Sequence, residues 1–102
     1  MNRKPVVLTR NSDGRFGIDV PSVPDWEGFE KLARFLENEY QAQVINKADG
    51  PDSRQWILLV GGHEVILRHD DPYGNTIESK DALGAKIVEA IGKDLEARLK
   101  GF

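Results

Sequence analysis

The chain contains no cysteine, which removes disulfides, thiolate metal sites and cysteine nucleophiles together. Such a composition fits a reducing compartment. Long hydrophobic runs are missing as well. Behind the basic start "MNRKPVVLTR" the apolar stretch is only "PVVL". That is too short for a signal-peptide core, and nothing approaches the ~20 apolar residues that span a bilayer. The expectation is a soluble, cytoplasmic protein with no membrane partner. Basic excess is absent too: 14 Lys and Arg stand against 17 Asp and Glu, a formal net charge of −3. With no run of Lys and Arg, the chain lacks the electrostatic footprint that neutralises phosphates, so nucleic acid is not expected as a partner. Neither a G-x-S-x-G elbow, nor a phosphate-binding loop, nor H-E-x-x-H occurs. The expectation is a protein that is not an enzyme and carries no cofactor.

What is present is ordinary globular material. Over 102 residues, 39% are hydrophobic and 30% charged, which suits one domain spanning residues 1–102. Residues 4–10 ("KPVVLTR") and 15–20 ("RFGIDV") read as strands joined by the turn "NSDG". Phe16, Ile18 and Val20 share one face. After "PSVPD", with Ser22 or Asp25 as cap, the apolar spacing of Trp26, Phe29, Leu32, Ala33, Leu36 and Tyr40 predicts an amphipathic helix with Phe35 at its margin. "AQVINKA" is a weaker strand suited to a sheet edge, followed by the turn "DGPDS". A second helix is expected from Ser79 as N-cap, with Leu83, Ile87, Ile91, Leu95 and Leu99 in one stripe. Gly101 ends it, and Glu89–Lys93 and Glu96–Lys100 are i,i+4 pairs. Gly84 and Gly92 would allow close helix–sheet approach. The expected fold is α+β, ordered ββαβββα, with a mostly antiparallel sheet and both helices on one face.

Two hairpins set the candidate residues. "RQWILLV-GG-HEVILRH" flanks Gly61-Gly62, whose positive φ angles suit a tight two-residue turn. Pairing Val60 with His63 then puts Leu58 opposite Val65, Trp56 opposite Leu67 and Arg54 opposite His69 on the helix-covered face. Leu59 with Glu64, Ile57 with Ile66 and Gln55 with Arg68 fall on the other face. In "DPYGN", a three-residue loop Pro72-Tyr73-Gly74 with Gly74 left-handed pairs Asp71 with Asn75, His69 with Ile77 and Arg68 with Glu78. Ile77 then faces the core, and Arg68 and Glu78 form a cross-strand ion pair.

The stretch "LRHDDPYGNTIES" concentrates polar residues, yet most of them serve this turn. The two histidines, His63 and His69, lie six strand residues apart, about 20 Å, and cannot share one metal ion. No metal site is expected. His69 and Asp71 can form a dyad on one side, beside Tyr73, as a ligand contact or an acid–base pair. Trp26 and Trp56 read as core residues. Opposite the helices, Ile57, Leu59 and Ile66 form an apolar patch ringed by Gln55, Glu64, Arg68 and Glu78, a pattern typical of protein interfaces.

The assembled string "DGPDSRQW…GHEVILRHDDPYGN" resembles small bacterial α+β domain families of unassigned function, in which a DGP…W turn-strand precedes a DD-x-x-GN hairpin and a closing helix. The resemblance covers roughly residues 30–100 and implies a fold but no activity. Bacterial immunity proteins, which neutralise toxin partners, are similar in size, acidity and lack of cysteine. The leading expectation is a non-enzymatic domain that binds a protein partner, or itself, through the outer sheet face. Toxin inhibition of the immunity type is one alternative, and a metal-binding or hydrolytic centre at His69 and Asp71 is another.

Overall fold

In a computed structural model of the chain, residues 7–10, 16–21, 25–70 and 74–99 are described. The sheet has six strands: β1 (Val7–Arg10), β2 (Phe16–Asp19), β3 (Gln43–Asp49), β4 (Ser53–Val60), β5 (His63–Asp70) and β6 (Gly74–Ser79). Helix α1 (Trp26–Tyr40) follows β2, and α2 (Ala85–Leu99) closes the chain. The class is the expected α+β fold, and every strand pairing is antiparallel. The element order gains one strand over ββαβββα. The added strand is β6, the second arm of the expected DPYGN hairpin; its single large apolar residue, Ile77, leaves it out of a count based on hydrophobic runs.

The strand order is β1-β2-β6-β5-β4-β3. Helix α1 therefore carries the chain from β2 to the far edge of the sheet, and the β3–β6 meander walks back until β6 pairs with β2. Both helices pack on one face. Phe29, Leu32, Ala33 and Leu36 of α1 and Val88, Ile91 and Leu95 of α2 join Ile18, Val20, Trp56, Leu58, Val60, Val65, Leu67 and Ile77 in one core. Strand alternation explains the sheet's share: in β4 every second residue is buried, and in β5 Val65, Leu67 and His69 are.

The central hairpin has the expected register throughout, from Ser53↔Asp70 to Val60↔His63. Gly61 and Gly62 both have positive φ, at 56° and 84°. The β5–β6 register differs from expectation. His69 pairs with Asn75, Arg68 with Thr76 and Leu67 with Ile77, two residues from the expected alignment. A two-residue shift keeps every side chain on its face, so Ile77 is still buried. Arg68 and Glu78 still form an ion pair at 3.2 Å, now as diagonal neighbours. Gly74 has the expected positive φ, at 98°.

At the helix starts, one of the two expected α1 caps is observed and two expectations for α2 are revised. Asp25 is the N-cap of α1, its Oδ1 accepting from Gly28 N at 2.6 Å; Ser22 lies outside the described residues. Ser79 does not cap α2: it ends β6, and its Oγ accepts from Phe16 N at 2.9 Å. Asp81 instead caps a 3-10 turn, Ala82–Gly84, which precedes α2. That tighter turn rotates Leu83 out of the stripe, leaving it 76% exposed. A Cβ on Gly84 would meet Ser79 Cβ at 3.5 Å, so this glycine does permit close approach. Glu89 and Lys93 pair at 3.9 Å, while Lys100 and Gly101 lie outside the described residues. No described helix is long and apolar enough to cross a membrane.

Candidate functional site

Two surfaces gather the chemistry-bearing residues. The first is the sheet end where the β3–β4 turn, the last residues of β5 and the first of β6 meet the start of α1. Cross-strand pairing sets Arg54 directly beside His69. Arg54 is only 6% exposed. Its Nε donates to Asp49 Oδ1 at 3.1 Å, and Nη1 lies 3.4 Å from Glu30 Oε1. Its guanidinium carbon sits 4.5, 4.6 and 4.9 Å from the ring centroids of Trp26, Phe29 and Trp56. A buried cation survives only with such compensation, and a planar guanidinium suits both the carboxylates and the rings. Trp56 Nε1 also donates to Asp49 Oδ1 at 2.8 Å. The hydrogen bonds from Arg54 and then Trp56 hold the Asp49 carboxyl below its usual range.

His69 lies beside this cluster, 5% exposed, with its ring packed edgewise on Trp26 (5.4 Å between centroids) and Phe29 (6.5 Å). Its Nδ1 is 2.8 Å from Asn75 Oδ1, and Asn75 Nδ2 donates to the Asp25 carbonyl at 3.1 Å. The amide's orientation follows from that second bond. Asn75 must present its oxygen to the ring, so the proton of this contact sits on His69 Nδ1. The histidine thus ties β5 to β6 and, through Asn75, to the cap of α1. Asp71 and Tyr73, expected beside it, lie outside the described residues. Among the described residues no group of three His, Asp or Glu side chains is arranged to hold a metal.

This end of the sheet therefore spends its polar groups on holding three segments together. Trp56 is core, as expected, but Trp26 is 40% exposed: its position at the first turn of α1 leaves one side of the indole outside while the other stacks on Arg54. Sequence reasoning passed over Arg54, Asp49 and Asn75. The available signal was Arg54 itself, a charge on the strand face otherwise occupied by Trp56, Leu58 and Val60, and directly opposite His69.

Beside the cluster, a cleft of about 220 Å³ opens between α1 and β3, lined by Glu30, Ala33, Arg34, Glu37, Val44, Lys47 and Trp56. It mixes both signs of charge, and the Lys47 ammonium lies 4.2 Å over the Trp56 ring.

The second surface is the sheet's other face. The observed registers bring Ile57 opposite Ile66 and Leu59 opposite Glu64. All three aliphatic residues are half-buried, without a helix above them among the described residues. Arg68, beside them, donates to Gln55 Oε1 at 3.0 Å and pairs with Glu78, while Lys80 pairs with Glu64 at 3.0 Å. By strand alternation Asp19, Glu64, Asp70 and Glu78 share this face with Arg68, and Lys80 lies at its border. The rim is acidic on balance.

No curated protein and no solved structure matches the chain. Its sequence does match, over residues 10–93, a family described as "Protein of unknown function (DUF3630)". That span runs from the end of β1 well into α2 and takes in both turn motifs, the central hairpin and the open sheet face. The chain belongs to the DUF3630 family of proteins of unknown function.

Proposed function

We propose that this protein is a non-enzymatic binding module that docks a protein partner on the open face of its sheet. The observation that carries this reading is the half-buried Ile57, Leu59 and Ile66 triangle on a sheet face that no helix covers among the described residues, enclosed by a rim with more acid than base. An apolar centre supplies affinity by excluding water, and the charged border selects the partner and its orientation. The complementary surface is apolar at its centre and basic at its margin. Inhibition of a basic toxin, as immunity proteins do, is a narrower form of the same reading, and the acidic rim is what favours it. A centre at His69 and Asp71 has less support, because His69 is enclosed by rings and engaged with Asn75.

The test places a photo-crosslinking amino acid at Ile66 in the native host, and at Arg34 on α1 as a control. The adduct is identified and the partner is then titrated in purified form. Expected is a discrete adduct from position 66 alone and saturable binding that weakens about 30-fold in Ile66→Glu, the loss typical of a central interface residue. Glu78→Lys should weaken binding further at low salt. Identical adducts from both positions, or a partner indifferent to Ile66→Glu, would sink the reading.

A further inference from the structure

Strand β3 lies at the edge of the sheet, hydrogen-bonded to β4 on one side. Along its other side, alternate N–H and C=O groups point outward, a template for another strand. At the opposite edge, four residues of β1 are described, while β3 has seven. A bulge between Val44 and Asn46 interrupts the first half of β3 and leaves Ile45 51% exposed. The second half, Asn46 to Asp49, runs regularly against Ile57 to Arg54.

We propose that two copies of this chain pair along β3, antiparallel about a two-fold axis, with Ala48 of each opposite Ala48 of the other. The register follows from symmetry and charge. In a two-fold strand pair the outward-pointing residues of both copies have the same parity, so the axis must pass through a residue position. An axis at Lys47 sets two ammonium groups face to face, and an axis at Asp49 sets two carboxylates face to face, both unfavourable. An axis at Asn46 runs the pairing into the bulge. An axis at Ala48 places Lys47 opposite the partner's Asp49 and Asp49 opposite the partner's Lys47, with Asn46 opposite the partner's Gly50.

Each member of that pair is available. Lys47 is exposed, with its ammonium over Trp56; it acts electrostatically on its own chain's Asp49 but is in no close ion pair among the described residues. The Asp49 side chain is 43% exposed although it already accepts from Arg54 and Trp56, and a carboxylate has lone pairs for further donors. Ala48 has the smallest side chain in the strand and lies at the axis, where facing Cβ atoms come within about 5 Å. A lysine on an edge strand ordinarily repels a second strand; here a single register turns that charge into two ion pairs. The interface joins two six-stranded sheets into one continuous sheet and leaves the Ile57–Leu59–Ile66 faces of both copies uncovered.

The absence of cysteine makes a direct test possible. In the proposed register, the two Cα atoms of an Ala48→Cys pair stand about 5 Å apart, within disulfide range, whereas those of an Asn46→Cys pair stand about 14 Å apart. Full-length protein under mild oxidation should give a covalent dimer readily from Ala48→Cys and poorly from Asn46→Cys. The unsubstituted chain should show a reversible dimer by sedimentation velocity, weaker at higher salt. Lys47→Glu should be monomeric with an unchanged circular dichroism spectrum, and Ile66→Glu should still dimerise. If Lys47→Glu fails to fold, the cysteine pair decides alone. Equal cross-linking at positions 46 and 48, or an unsubstituted chain that is monomeric at every concentration, overturns the proposal.

Discussion

Arg54 and Tyr40 show how single polar residues are kept inside this fold. Arg54 is a buried cation surrounded by carboxylates and rings. Tyr40 is partly buried between the helices, where its hydroxyl donates to Asp94 Oδ2 at 2.8 Å while Arg98 reaches both Asp94 and Glu39. Burial first, and then the hydrogen bond and charge of Asp94, push the Tyr40 phenol up to about 12. The bond from Arg98, then that from Tyr40, holds Asp94 below its usual range. The consequence for stability has a definite sign. The unfolded chain releases this proton near the ordinary tyrosine value of about 10, while the folded chain keeps it up to about 12. Between those values the folded state binds more protons, so stability falls as pH rises through the window. Tyr40→Phe should flatten the alkaline limb. Urea midpoints from about pH 9 to about pH 12 check this, and a parallel decline in both proteins would count against it. The acids behave in the opposite sense: Asp49 and Asp94 stabilise the fold above the usual carboxylate range, and that contribution is lost as pH falls through their lowered values.

At the scale of the element, α1 shows what patterning reveals and what it hides. Its stripe and the Asp25 cap were legible because they follow from local spacing and one side-chain acceptor. Its end was not: the chain leaves α1 through Gln41 in a left-handed conformation, φ 51°, a role that usually falls to glycine. An L-residue is strained there, so Gln41→Gly should stabilise the protein by roughly 1 kcal/mol, or about 4–8 °C in Tm. Thermal unfolding followed by circular dichroism measures this, and an unchanged or lower Tm would mean that the Gln41 side chain offsets the strain. The start of α2 misled for a related reason. Ser79 looks like a cap in sequence, but its hydroxyl is taken by Phe16 N from a strand far away in the chain. Long-range partners of this kind leave no local mark, and the same holds for the Arg54 and Asn75 contacts. Strand faces were the most legible part of the sheet, because alternation fixes them even where the register shifts by two residues, as between β5 and β6.

For the molecule as a whole, the central hairpin is paired along its entire length, Ser53 to Val60 against His63 to Asp70. Among the described residues, the N-terminal hairpin pairs with β6 over three positions, Gly17↔Glu78, Ile18↔Ile77 and Asp19↔Thr76, with flanking bonds from Phe16 N to Ser79 Oγ and from Val20 N to the Asn75 carbonyl. Amides of β2 should therefore exchange with solvent through smaller openings than those of β4 and β5. Native-state hydrogen exchange read by NMR tests this, and equal protection across the two hairpins would show a sheet that opens only as one unit. Strand order was the part of the fold that the sequence did not disclose, since short turns name sequential neighbours and say nothing about β2 meeting β6. That one pairing also bears on how the protein is made. During synthesis β2 emerges before its sheet neighbour β6, with α1 and three strands between them. At about 5–20 residues per second, the nascent N-terminal hairpin waits several seconds at the ribosome with an unpaired edge. In that interval it is the part of the chain most open to a chaperone, or to the edge of another nascent copy.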